Sequence, residues 1–177
     1  MIDTSVVSAL HRNYFRSRFG SLWKRFDEMV ATDGFTSTRE ALRELEAIGG
    51  NAYEWAQNNS AIFTTPNAKE GAFVWQIYSV AHFQANMEKQ KLIRGGLNAD
   101  PFLIARAAVT GTTVLTMEQF RDNAAKIPNI CKHFGVACLG LEEFMEAEDW
   151  TFQPRPTISR DADIDGCYSI PIDGSLD

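Results

Sequence analysis

The sequence predicts an α/β domain built on a mainly parallel sheet. Short β-branched, apolar runs such as Thr112-Thr113-Val114-Leu115-Thr116 and Val136-Ala137-Cys138-Leu139 alternate with segments of helical periodicity. Glycines punctuate them at Gly49-Gly50, Gly95-Gly96, Gly111 and Gly135. At 177 residues, 45% hydrophobic and 23% charged, the chain suits one domain with a substantial core.

Met1 to Thr4 reads as a short strand leading into Ser5–Leu10. Leu22, Phe26, Met29 and Val30 recur at helical spacing within Ser21–Val30, and Gly34-Phe35-Thr36 reads as a second strand. Ser37-Thr38-Arg39-Glu40 has the form of a capping box, in which Ser37 and Glu40 satisfy each other's backbone donors. Behind it Ala41, Leu45 and Ile48 form an apolar stripe that Gly49-Gly50 ends. A short helix is expected over Asn51–Gln57, then an extended run Ala61–Phe63 before Pro66. Lys69–Lys91 reads as one long helix, apolar at Phe73, Ile77, Val80 and Phe83.

After the break at Gly95-Gly96, Asp100 and Pro101 suit the N-cap and first position of a buried helix closed by Gly111. The strand Thr112–Thr116 follows. Ile127–Phe134 is a helix entered through Pro128 and left at Gly135, Val136–Leu139 a strand, and Leu141–Ala147 the last helix. From Trp150 periodicity is lost, so residues 1–149 read as the domain and 150–177 as an acidic tail containing Pro, Asp and Gly.

Several classes of protein are disfavoured. The most apolar stretch, Gly71–Phe83, is interrupted by Gln76 and His82 and is too short to span a bilayer. No basic and apolar leader follows Met1, so a cytoplasmic location is expected. Cys131, Cys138 and Cys167 form no CxxC pair and read as reduced thiols. A glycine-rich phosphate loop ending in Lys-Ser/Thr is absent. Ser5 stands where an Asp-x-Asp phosphatase of the haloacid-dehalogenase kind needs its second acid.

Net charge is −6, yet Arg12, Arg16, Arg18, Lys24 and Arg25 lie between His11 and Arg25 with no acid among them. Such a stretch is either a footprint for phosphates or a solvated basic face. After Arg160 the tail holds Asp161, Asp163, Asp165, Asp173 and Asp177 and no base.

Four acids sit where a cation could use them. Asp3 ends the first strand, Asp100 opens the buried helix, and Glu118 follows the strand ending at Thr116. Glu44 lies one turn beyond Glu40 at the edge of the apolar stripe. In open α/β sheets the site lies beyond the carboxyl ends of the strands. Converging carboxylates repel unless a cation intervenes, and hard oxygen ligands favour Mg²⁺ or Mn²⁺. Taken singly, Asp100 is equally a helix cap, Glu44 a solvated helix residue and Glu118 a loop acid. Asp3 is harder to dismiss, because a charge at the end of a buried strand needs a partner.

Together these residues resemble the PIN-domain endoribonucleases, the VapC-like toxins included. Met1-Ile2-Asp3-Thr4-Ser5 is similar to that family's opening, and Asp100-Pro101-Phe102-Leu103-Ile104-Ala105-Arg106-Ala107 to its Asp-x-x-Ile-Ala-x-Ala helix start. Val114–Glu118 resembles its strand ending in Thr-x-acid, and Ala41–Leu45 its Glu-Leu helix. A closer likeness is to a PIN-like bacterial subgroup long catalogued as of unknown function. Arg12-Asn13-Tyr14, Leu22-Trp23 and the segment Lys126-Ile127-Pro128-Asn129-Ile130-Cys131 before Phe134-Gly135-Val136 carry it.

The resemblance covers Met1 to about Met145 and implies a three-layer α/β/α domain. It implies that Asp3, Glu44, Asp100 and Glu118 hold Mg²⁺ or Mn²⁺, supported by Thr4 or Ser5, to hydrolyse RNA. Arg12, Arg16 and Arg18 would hold flanking phosphates. A cognate antitoxin and a homodimer are implied as well. The fourth acid departs from the family's usual Asp, and Asp122 competes for its role. Two alternatives share the same residues: a structure-specific DNA nuclease, and a protein-binding module whose acids have lost activity.

Overall fold

A computed structural model describes residues 1–85, 87 and 97–151. The chain is mixed α/β, with short parallel strands among helices. Strand β1 (Ser37–Thr38) pairs in parallel with β2 (Phe63–Thr64), and β3 (Val114–Leu115) with β4 (Cys138–Leu139). Ile2 stitches the pairs together. It forms a parallel bridge with Leu115, and its amide donates to the Thr36 carbonyl at 2.9 Å. The Ser37 hydroxyl donates to the Ile2 carbonyl at 2.9 Å. A fully buried isoleucine suits this central place, since a parallel sheet is covered on both faces.

The helices are α1 (Thr4–Asn13), α2 (Gly20–Ala31), α3 (Arg39–Ile48), α4 (Gly50–Asn58), α5 (Ala68–Ser79), α6 (Asp100–Thr110), α7 (Ile127–Phe134) and α8 (Leu141–Ala147). They pack into two apolar clusters. One gathers Ile2, Val6, Leu10, Phe26, Leu45, Trp55 and Leu115, the other Met1, Ile77, Leu103, Ile104, Val114 and Ile130. Neighbours Met1 and Ile2, and again Val114 and Leu115, feed different clusters, as alternation along a strand requires.

A buried ion pair ties α5 and α6 to the sheet. Arg106 donates from Nε to Glu70 Oε1 and from Nη2 to Glu70 Oε2, both at 3.1 Å. Its Nη1 reaches the Ser37 carbonyl at 2.7 Å and the Thr64 hydroxyl. Arg106 and Glu70 are 7% and 2% exposed, so the geometry must satisfy both charges almost without water.

Several expectations need correction. In place of the expected strand Gly34–Thr36, the strand is Ser37–Thr38, where the pairing with Phe63 and Thr64 falls. That strand occupies Ser37, so the N-cap of α3 is Thr38, whose side chain accepts from the Ala41 amide at 3.4 Å. No Ser37–Glu40 box forms, and Glu40 meets Arg39 instead at 3.2 Å. The buried positions of α3 are Ala41, Glu44 and Leu45, while Ile48 is 62% exposed. Glu44 has replaced Ile48 on the inner face.

The expected helix Lys69–Lys91 is interrupted at Val80, which is extended (φ −80°, ψ 104°). The Ser79 hydroxyl folds back to the Gln76 carbonyl at 2.7 Å, and a new helical segment begins at residue 81. Residues 86 and 88–91 of that expected helix, and the break at Gly95-Gly96, lie outside the described residues. Asp100 is the first residue of α6 rather than its cap; Ala99 holds the cap position, and its carbonyl accepts from Phe102 and Leu103. Gly49, Gly111 and Gly135 end their helices with φ near +70°, which an L side chain resists.

Trp150 packs edge-on to Phe144 with ring centroids 5.4 Å apart. Residues 152–177, with Cys167 and the five aspartates of the tail, lie outside the described residues. No helix among the described residues is long and apolar enough to cross a membrane.

Candidate active site

Asp3 stands at the carboxyl end of the bridge formed by Ile2 and occupies the N-cap of α1 (φ −84°, ψ 153°). An aspartate there ordinarily accepts from the helix's own first amides. Its carboxylate makes no such bond. It turns instead into the protein, where Ser5 and Thr116 hydroxyls donate to Oδ2, the latter at 2.8 Å, and Thr4 reaches Oδ1 at 3.3 Å.

The same Thr4 hydroxyl lies 3.1 Å from Glu44 Oε2, so one proton is shared between two carboxylates. The other Glu44 oxygen accepts from the Ala99 amide at 2.8 Å, which brings Glu44 to the start of α6, where Asp100 stands. Asp3, Glu44 and Asp100 are 4%, 8% and 5% exposed. Asp3 and Glu44 are therefore linked through Thr4 beside the end of the Ile2 bridge, and Glu44 is tied to the start of α6, where Asp100 is buried.

Glu118 is close but differently employed. Its amide donates to Thr116 Oγ1 at 3.1 Å. Its carboxylate takes the Lys126 ammonium on Oε1 at 3.0 Å and the Ile127 amide on Oε2 at 2.9 Å. It thus pins the loop before α7. The segment Lys126–Cys131 has a physical reading here: Lys126 and Ile127 clamp Glu118, the Asn129 amide donates to the Arg121 carbonyl at 2.7 Å, and Ile130 and Cys131 fill the core. Asp122 lies in an exposed turn.

Burial drives the Asp3 carboxyl above the ordinary carboxylate range. The Ser5 and Thr116 hydroxyls oppose that shift, and the negative charge of Glu118 adds to it. No lysine, arginine or histidine among the described residues pairs with Asp3 or Glu44. Among the described residues no three His, Cys, Asp or Glu side chains are drawn together closely enough to hold a metal ion. Two buried carboxyl groups whose partners among the described residues are neutral donors form an all-oxygen donor set, the kind a hard divalent cation takes.

Beside the acids is a cavity of about 490 Å³ lined by Thr4, Ser5, Ser8, Ala9 and Arg12 of α1, by Glu44, Ala47 and Ile48 of α3, and by Leu97 and Met117. Arg12 therefore belongs to the site. Arg16 is committed elsewhere: both guanidinium nitrogens hold Asp27, at 2.8 and 2.9 Å, and the group lies 4.0 Å from the Trp23 ring centroid. Arg25 donates to the Asp149 carbonyl at 2.7 Å, and Arg18 is exposed in a turn.

Residues 1–152 match a family described as a domain of unknown function, DUF4411. The chain belongs to that family. No curated protein and no solved structure matches it. Within this DUF4411 chain, sequence reasoning missed two contributors. Thr116 is fully buried and joins Asp3, Ser5 and Glu118; its place in a Thr-x-acid strand end was the available signal. The Ala99 amide is backbone, and no residue type announces it.

Proposed function

We propose that this DUF4411 chain is a PIN-like, metal-dependent endoribonuclease and the toxin of a toxin–antitoxin pair. One observation carries the reading. The Asp3 carboxylate is diverted from the helix it should cap and shares a hydroxyl with buried Glu44, and among the described residues no basic side chain pairs with either. The placement of the acids at the carboxyl ends of parallel strands supports it. The three-layer α/β/α arrangement, the antitoxin and the homodimer rest on the family likeness.

Asp3, Glu44 and Asp100 would hold Mg²⁺ or Mn²⁺, with Glu118 acting through water. When bound, the ion polarises a phosphoryl oxygen and lowers the pKa of a water. The chain's own residues do the rest. Ser5 and Thr116 orient Asp3, and the Ala99 amide fixes one oxygen of Glu44. The Thr4 hydroxyl links Asp3 and Glu44, the acids that would hold the ion. Arg12 receives the phosphate beside the one attacked.

The binding-module reading is favoured by one observation: both Glu118 oxygens are already engaged, which leaves three acids rather than four. Incubation with mixed RNA and mixed single-stranded DNA, in Mg²⁺ and in EDTA, separates the possibilities. RNA cleavage lost in EDTA and in Asp3→Asn supports the proposal. Cleavage of DNA alone replaces the substrate, and Mg²⁺ binding without turnover of either replaces the activity.

A further inference from the structure

We infer that the cavity beside the acids is a nucleobase subsite, gripping the base of the nucleotide whose phosphate Arg12 holds; this rests on the nuclease reading above. Its lining is of two kinds. Ser5, Ser8 and Arg12 are three and four residues apart on one face of α1, so that face leads outward from Asp3 to Arg12. Ile48, Leu97 and Met117 supply apolar lining.

Ile48 and Met117 are 62% and 44% exposed, large apolar side chains left in water at one cavity. The occupant must therefore bring an apolar face for Ile48 and Met117 and an anion for Arg12. A nucleotide brings both. An apolar peptide side chain leaves Arg12 unanswered. The cavity, about 490 Å³, lies in the size range of small-ligand sites. The polarisable thioether of Met117 suits contact with an aromatic ring.

The test titrates the full chain in Mg²⁺ with adenosine 5′-monophosphate and, separately, with ribose 5-phosphate, which lacks the base. Neither has a phosphodiester to cut, so binding is read apart from turnover. The nucleotide is expected to bind at least about tenfold tighter. The Ile48→Ala/Met117→Ala double variant is expected to bring the two ligands level. Both side chains are exposed, so folding is little affected, and a thermal melt checks it. Equal binding of the two ligands, binding of neither, or a double variant that still prefers the nucleotide overturns the subsite. RNA cleavage is scored in parallel. Cleavage without base preference sinks the subsite and leaves the nuclease, whereas base preference without cleavage keeps the subsite and sinks the nuclease.

Discussion

The Thr4 hydroxyl stands 3.1 Å from Glu44 Oε2 and 3.3 Å from Asp3 Oδ1, joining carboxylates forty-one residues apart. Without metal, this hydroxyl is the direct link between them. Thr4→Val removes it and leaves a buried carboxylate oxygen without its donor. The variant should lose about 1–3 kcal/mol of stability in EDTA. On the proposed metal site the loss should shrink in millimolar Mg²⁺, where the same acids would hold a cation. Urea unfolding in the two buffers measures both values, and an equal loss in each argues against a cation there.

Asp100 and Glu118 should respond differently to loss of charge. Asp100 opens α6 without capping it, so Asp100→Asn should leave the fold intact. Its kcat/KM should fall by at least about a hundredfold, the upper end of what outer-shell partners of a metal cost. Glu118 spends its carboxylate on Lys126 and Ile127. Glu118→Gln should cost less than about tenfold in rate and show itself as faster hydrogen exchange in the loop before α7. Side-by-side kinetics of the two variants rank them, and the reverse order would move Glu118 to the centre of the site.

The two arginines of the first helical region should separate cleanly. Arg12→Ala should weaken RNA binding on every sequence and reduce the salt slope by roughly 0.7, one phosphate contact on a single strand. Arg16 holds Asp27 and covers Trp23, so Arg16→Ala should lower the melting temperature and leave the slope unchanged. Binding isotherms across a series of salt concentrations check both.

Removing one member of the Arg106–Glu70 pair strands a buried charge. Glu70→Ala should destabilise the chain by about 3–5 kcal/mol, far more than any change at the acid site. Denaturant unfolding reads it directly, and a loss below about 1 kcal/mol would mean that water reaches Arg106.

His11 supplies a pH dependence remote from the acids. Its Nδ1 lies 2.9 Å from the Val7 carbonyl, and the ring sits edge-on to Trp23 at 4.8 Å. Burial lowers its pKa below the ordinary 6.5, outweighing the Val7 bond. The unfolded chain therefore takes up a proton first on acidification. Stability is complete above pH 6.5 and is lost as pH falls through the folded value. His11→Gln should flatten melting temperature against pH in that window.

Much of this was legible in the residues. Helices with a strong stop, such as those closed by Gly49, Gly111 and Gly135, fall where the glycines put them. The order of the acids was legible because Asp3, Glu44 and Asp100 each sit at an element boundary or on an inner face. What escaped was set by long-range contacts. Ser37 looked like a cap, and only the pairing of residues 36 and 37 with Ile2 shows why it is not. Arg16 looked like a free cation because Asp27 lies eleven residues away across a turn. Ile48 fitted the apolar stripe of its helix, yet Glu44 took the inner face because the Ala99 amide and Thr4 await it there.

Asp3 owes its position to residues more than a hundred places downstream: its amide donates to the Leu115 carbonyl at 3.0 Å, and its carboxylate accepts from Thr116. During translation the first acid emerges long before the strand that holds it, and β4 follows later still. A chain cut off at residue 100 holds Asp3, Glu44 and Asp100 but neither Leu115 nor Thr116, and so lacks the contacts that seat the first acid. On the nuclease proposal, a frameshift or early stop before Thr116 would therefore yield an inactive product.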